Sequence, residues 1–169
     1  MGLRWDPLQP DGPSGEEPAN LDALCVVFDQ HGRAQDAVHP GRPSNANGSI
    51  VHTGDSPTGA GEWDDERIFV FLEALPETAC AVSFIVVSAN GRAFGEVPGA
   101  SCHVSDRITE HEWMRVELTT AFGPHRACRV ATVHRGSDGW RMSPDVQVID
   151  SGSLAALVSP VGSLEQQRK

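Results

Sequence analysis

The sequence contains a single lysine, Lys169, against twelve arginines. That skew points to GC-rich codons and not to a basic function. Asp and Glu outnumber the cations, and the formal net charge is −10. A sequence-independent nucleic-acid binder needs a basic face to neutralise phosphates, so that class is excluded. Association with anionic lipid is disfavoured for the same reason. No apolar run approaches the length of a membrane span. No basic segment followed by an apolar one opens the chain, so no signal peptide is expected. Gly2 is followed by Asp6 where a myristoylation signal needs Ser or Thr. No two of Cys25, Cys80, Cys102 and Cys128 form a CxxC pair. Buried free thiols and a cytoplasmic location follow. No two histidines have the i, i+4 helical spacing of a zinc site. A P-loop, a dinucleotide fingerprint and a GxSxG elbow are also lacking, which removes the chemistries that rest on them. Cys128, between His125-Arg126 and Arg129, is the one position where a cation sits beside a thiol.

Amphipathic helices are lacking too, and without them a parallel α/β fold has no crossovers. What remains is a series of short apolar runs separated by Gly, Pro, Asn and Asp. Leu21 to Phe28, Ser49 to His52, Arg67 to Leu72, Ala81 to Val87 and Ser101 to Val104 read as strands. Trp113 to Thr119 alternates cleanly between polar and apolar, as a half-buried antiparallel strand does. Ala127 to Arg135 and Trp140 to Met142 flank the turn residues Ser137-Asp138-Gly139. Asn90-Gly91 predicts a tight hairpin, and Asp29 to Gly32 a turn. Val38 to Gly48 reads as a loop. Ser153 to Val158 predicts a short helix stopped by Pro160. The expected fold is therefore all-β, an antiparallel two-sheet β-sandwich with a short C-terminal helix. One domain spans 1–162, with an exposed loop at 7–19 and a frayed tail at 163–169.

The densest chemistry lies between His52 and Glu66, where five carboxylates and three glycines share one loop. Carboxylates this close repel unless a cation, N–H donors or open water separates them. A hard cation held by oxygen atoms is the sharpest explanation, with the glycines letting the backbone wrap around it. Asp55 to Glu66 has the length of an EF-hand loop, but Pro57 and Gly59 stand where side-chain oxygens belong, and Ala60 replaces the required glycine. The EF-hand is rejected; a calcium site of another kind is not. His52 abuts the loop and is placed to orient a carboxylate. Trp63, inside it, either caps the site or offers a sticky contact to a partner. Two of the carboxylates acting as an acid/base pair would instead make a hydrolase, but their crowding suits a cation better.

His52-Thr53-Gly54-Asp55, Thr58-Gly59 and Asp64-Asp65-Glu66 together resemble the signature of the TerD-like tellurium-resistance and stress-response family. Gly2-Leu3-Arg4-Trp5-Asp6, Leu21-Asp22-Ala23 and Phe94-Gly95-Glu96-Val97 match further family stretches in order and spacing. The resemblance implies a bacterial, cytoplasmic, calcium-binding β-sandwich without catalysis, working with protein partners. It implies calcium ligands at Asp22, Asp55, Asp64, Asp65 and Glu66, with Glu62 where the family commonly has an acid. There are departures. Asn20 replaces an aspartate, Ala60 replaces an acid, and Pro40-Gly41-Arg42 stands where the family has Tyr-Asn-Asn. The family's opening Lys-Gly-x-Asn strand has no counterpart in this sequence. A runner-up reading follows: a relative that has lost calcium and serves as an interaction scaffold, with the Arg42 guanidinium in the ion's place.

Overall fold

A computed structural model of the protein describes residues 1–8 and 17–158. The described residues form ten strands: β1 (Gly2–Arg4), β2 (Leu21–Phe28), β3 (Ala34–Val38), β4 (Ile50–His52), β5 (Glu66–Val70), β6 (Ala81–Ser88), β7 (Ser101–Ser105), β8 (Glu112–Glu117), β9 (Ala127–Gly136) and β10 (Gly139–Val148). They make two antiparallel sheets, ordered β4-β5-β1-β7-β8 and β10-β9-β6-β2-β3. The expected sandwich is the observed one.

The period of two sorts each strand between faces. On β2, Leu21, Ala23, Cys25 and Val27 enter the core between the sheets. Leu24, Val26 and Phe28 point the other way, into a second cluster with Ile149, Leu154 and Leu157. That second cluster exists because the C-terminal helix α2 (Ser151–Val158) packs there. Both faces of β2 and β6 are therefore buried, which is why they read as unbroken apolar runs and not as alternating ones. Asp150 caps α2, accepting from the Ser153 N–H at 2.8 Å and from the Ser153 hydroxyl at 2.7 Å. These bonds hold its carboxyl below the usual carboxylate range.

Several expectations need correction. Asn90-Gly91 turns the chain, with Gly91 at φ +79°, but joins no hairpin. β6 already has β2 and β9 as neighbours, so the chain crosses to the other sheet. Ala34–Val38 forms β3, a strand that its polar residues hid. β10 runs well past Met142, through Pro144 to Val148. Proline is tolerated there because β10 is a sheet edge, and its register shifts between Pro144 and Gln147. β5 stops at Val70, and β8 gives way at Leu118 to a one-turn helix α1 (Leu118–Ala121). In the segment expected to be an exposed loop, Ala19 is fully buried and Leu8 packs on the core. The centre of that loop, Pro160 and the tail at 163–169 lie outside the described residues.

Cys25, Cys102 and Cys128 are buried and all four thiols are free. Burial pushes the Cys102 thiol up to about 12 and raises Cys25 and Cys128 further. Such thiols are inert at neutral pH, so Cys128 carries no nucleophilic chemistry.

Candidate metal centre

β3 pairs with β2 only from Cys25 onward, leaving the first half of β2 without a neighbouring strand on that side among the described residues. The Ala23 N–H lies on this bare edge. Glu66 lies two residues before the core residue Ile68 on β5, and so points inward with it. It reaches the bare edge, and its Oε2 accepts from the Ala23 N–H at 2.7 Å. The same oxygen lies 3.2 Å from His52 Nε2, while Oε1 accepts from the Ser56 N–H at 3.3 Å. Glu66 is 0% exposed and His52 3%. The Gly54 N–H donates to His52 Nδ1 at 3.1 Å, which places the ring proton on Nε2, directed at Glu66. A carboxylate that is buried this deeply is tolerable because three donors converge on it.

Asp22, near the start of β2, and Asp55, exposed just after β4, complete the cluster. One oxygen from each of Asp22, Asp55 and Glu66 lies within 4.8 Å of the others. Two residues before Asp22, the Asn20 side-chain oxygen is buried with no hydrogen-bond partner among the described residues.

The other three nominated carboxylates go elsewhere. Asp65 accepts from the Trp5 N–H and the Gly61 N–H, both at 2.9 Å, tying the acidic loop to the end of β1. Asp64 lies across Gly2, bound to Arg67 Nε at 2.8 Å and 3.7 Å from His103 Nδ1. A Cβ on Gly2 would come within 2.3 Å of Asp64 Oδ2, so glycine is what lets this carboxylate cross β1. Glu62 is exposed, beside a Trp63 that is 74% exposed. Trp63 therefore does not close over the cluster. The Arg42 guanidinium pairs with Asp36 and donates to the Ala37 carbonyl at 2.7 Å, and makes no ion pair with Asp55 or Asp65 among the described residues.

Gly59 has a packing role that its place in the sequence did not reveal. Gly59 is buried at φ +68°, and a Cβ there would lie 2.3 Å from the Trp5 indole nitrogen. It lets the loop lie flush on Trp5, whose indole N–H donates to the Ala19 carbonyl at 3.0 Å. The sequence signal for this was present in Trp5 and Gly59, but only their contact reveals it.

The family model described as the TerD domain matches residues 1–160. This chain belongs to the TerD family. The tellurium resistance protein TerZ of Serratia marcescens is 35% identical over 145 residues, which cover 83% of this chain and 74% of TerZ. General stress protein 16U of Bacillus subtilis (strain 168) is 31% identical over 150 residues, covering 85% and 76%. The crystal structure of a Streptomyces coelicolor A3(2) homologue of the telluride resistance protein TerD superposes with a TM-score of 0.79 over 96% of each chain. At 24% identity that likeness shows the shared fold.

In this TerD-family chain, then, one acidic loop does two separable things. Asp55 and Glu66 meet Asp22, whereas Asp65 fastens the loop to β1. Asp65→Ala is expected to lower stability by about 1–3 kcal/mol, because it leaves two backbone donors without their acceptor. Urea unfolding measures the loss. If the loss is below a few tenths of a kcal/mol, Asp65 is not the fastener.

Proposed function

We propose that this TerD-family protein is a non-catalytic, calcium-binding stress-response module that acts in the cytoplasm with protein partners. The observation that carries the reading is the meeting of Asp22, Asp55 and Glu66 oxygens beside the orphaned Asn20 amide oxygen. Three carboxylates at this spacing repel strongly unless a cation lies among them. The cluster contains no imidazole or thiolate, and an all-oxygen set suits a hard cation. Calcium accepts such a set in irregular geometry and completes it with backbone carbonyls and water. The residues present fit the ion: the three carboxylates and Asn20 would hold it, and His52, with the Ala23 and Ser56 N–H groups, would orient Glu66. Those three donors fix Glu66 in place, which suits holding an ion better than shuttling a proton.

Relatives named for tellurium resistance and general stress support the stress-response part. Free buried thiols favour a reducing compartment. Among the described residues no helix is long and apolar enough to cross a membrane. The exposed Trp63 beside Glu62 offers a contact for a protein partner. The scaffold reading, with Arg42 replacing the ion, is disfavoured by the Arg42–Asp36 pair.

Calcium at a hundredfold excess over its dissociation constant should stabilise the fold by about 2.7 kcal/mol. For a chain of this size that is a rise in melting temperature of roughly 5–10 °C. Asp55→Asn should abolish the rise while leaving the calcium-free melting temperature unchanged or slightly higher, since Asp55 is exposed and crowded by like charge. An absence of any shift at millimolar calcium in the unmutated protein would reject the reading.

A further inference from the structure

The two halves of the Asp22–Asp55–Glu66 cluster belong to different sheets. Asp22 lies on β2 of the second sheet, whereas Asp55 follows β4 and Glu66 opens β5, both of the first. The stretch leading to Asp22 is held carbonyl by carbonyl. The Glu17 carbonyl accepts from the Arg92 guanidinium at 3.0 Å and the Pro18 carbonyl from the Asn90 side-chain amide at 2.8 Å. The Asn20 carbonyl accepts from the Ala89 N–H at 2.8 Å. These three donors sit on the segment that follows β6, a strand of the same sheet as β2. The Ala19 carbonyl accepts instead from the Trp5 indole N–H at 3.0 Å, and Trp5 directly follows β1 of the first sheet.

Trp5 holds the other half as well. Its backbone N–H donates to Asp65 Oδ2 at 2.9 Å, and the Asp65 N–H donates to the Leu3 carbonyl at 2.8 Å. Gly59 lies against the indole edge formed by Nε1 and Cδ1. One edge of one ring therefore meets both the acidic loop and the segment that leads to Asp22. The ring is 1% exposed, and close packing locks its rotamer, so it acts as a stiff spacer. Glu66 also crosses between the sheets, to the Ala23 N–H, but it is one of the three carboxylates. Trp5 spans the same gap and offers no oxygen to an ion.

We infer, on the calcium reading proposed above, that Trp5 is the positioning residue of the cation site: it fixes the separation of Asp22 from Asp55 and thereby favours calcium over magnesium. Magnesium demands a near-ideal octahedron of oxygens at about 2.0–2.1 Å, whereas calcium takes irregular sets at about 2.3–2.6 Å. Ligands that stand on two sheets, with a locked ring between their supports, cannot draw in around the smaller ion without breaking the Trp5 bonds. Ligands already held in place also need no ordering when the ion arrives, which favours the ion that their spacing fits. Freeing the Ala19 carbonyl from Trp5 removes both effects. The Gly2-Leu3-Arg4-Trp5-Asp6 motif gains a role in this way, through the ring of Trp5 and not through a ligand.

Calorimetry on the full chain measures calcium directly and magnesium by competition against it. Trp5→Phe keeps an aromatic ring and removes the indole N–H. Its calcium dissociation constant should rise at least about tenfold, while the magnesium constant changes by less than about threefold. Val130→Ala is the control for lost stability alone, because Val130 is buried in the core on β9, with β6 between it and β2. It should lower the melting temperature and leave both constants within about threefold of their starting values. Where Trp5→Phe fails to fold, Trp5→benzothienylalanine, which retains the fused rings and carries sulfur in place of the N–H, should show the same loss. Calcium binding by these variants within about threefold of the unmutated chain would overturn the inference and leave the calcium reading standing. An equal loss for both ions would overturn it too, since a collapsed site and not a lost spacing would then be the cause. No calcium binding by the unmutated chain overturns both.

Discussion

Glu66→Ala is expected to destabilise the protein by about 3–5 kcal/mol and to eliminate the calcium response. Its carboxylate receives the Ala23 N–H at 2.7 Å, the Ser56 N–H at 3.3 Å and the His52 Nε2 at 3.2 Å. Each donor that is left without its acceptor in a dry site costs about 1–3 kcal/mol. A small cavity adds to this, because Glu66 is fully buried. Relief of repulsion from Asp22 and Asp55 offsets part of the sum, which keeps the expected loss below the total of the three donors. Glu66→Gln keeps the shape and one acceptor oxygen but turns an NH₂ towards donors, so an intermediate loss is expected. Urea midpoints at unchanged m-value measure both. Were the alanine variant to lose less than about 1 kcal/mol, Glu66 would not be what joins β5 to the bare edge of β2.

The second large effect is expected at Gly59. Alanine there must hold φ near +68°, which costs an L-residue about 1–2 kcal/mol. Its Cβ would also lie 2.3 Å from Trp5 Nε1 and 2.4 Å from Cδ1. Trp5 is 1% exposed and is hydrogen bonded to the Ala19 carbonyl, so the ring has nowhere to retreat. Moving it breaks that bond and opens the loop that carries Asp55. A total loss of about 3–4 kcal/mol is expected, with a red shift in tryptophan fluorescence as Trp5 meets water. Gly91→Ala is the control, because Gly91 has a similar φ of +79° but open space around its Cβ. It should lose only about 1 kcal/mol, the backbone part alone. Equal losses at the two glycines would show that the Trp5 contact carries no weight.

Much of the sandwich could be read from local pattern. The alternation in β8, the turn residues between β9 and β10 and the apolar runs of β2 and β6 are properties of neighbouring residues, which the period of two exposes. Where the reading failed, a distant contact decided. β3 is held by the edge of β2 and not by its own composition, and β10 outlasts Pro144 because no described strand pairs on its outer side. Asn90-Gly91 is a turn by chemistry, but what it joins depends on which sheet has an open edge.

The acidic composition and the glycine-punctuated loop pointed to carboxylates held close together, and to the TerD-like family, from the sequence alone. Which of those carboxylates meet was settled only by packing. Asp64, Asp65 and Glu66 are adjacent in the chain, yet one crosses Gly2 to Arg67, one fastens Trp5, and one enters the core beside His52. The chain bends at Asp65, ahead of β5, so the three side chains leave in different directions and crowding along a sequence does not become crowding in space. Glu66 bonds Ala23, next to Asp22, across 43 positions because β3 leaves that N–H bare, and that depends on how two sheets stack, not on any run of letters.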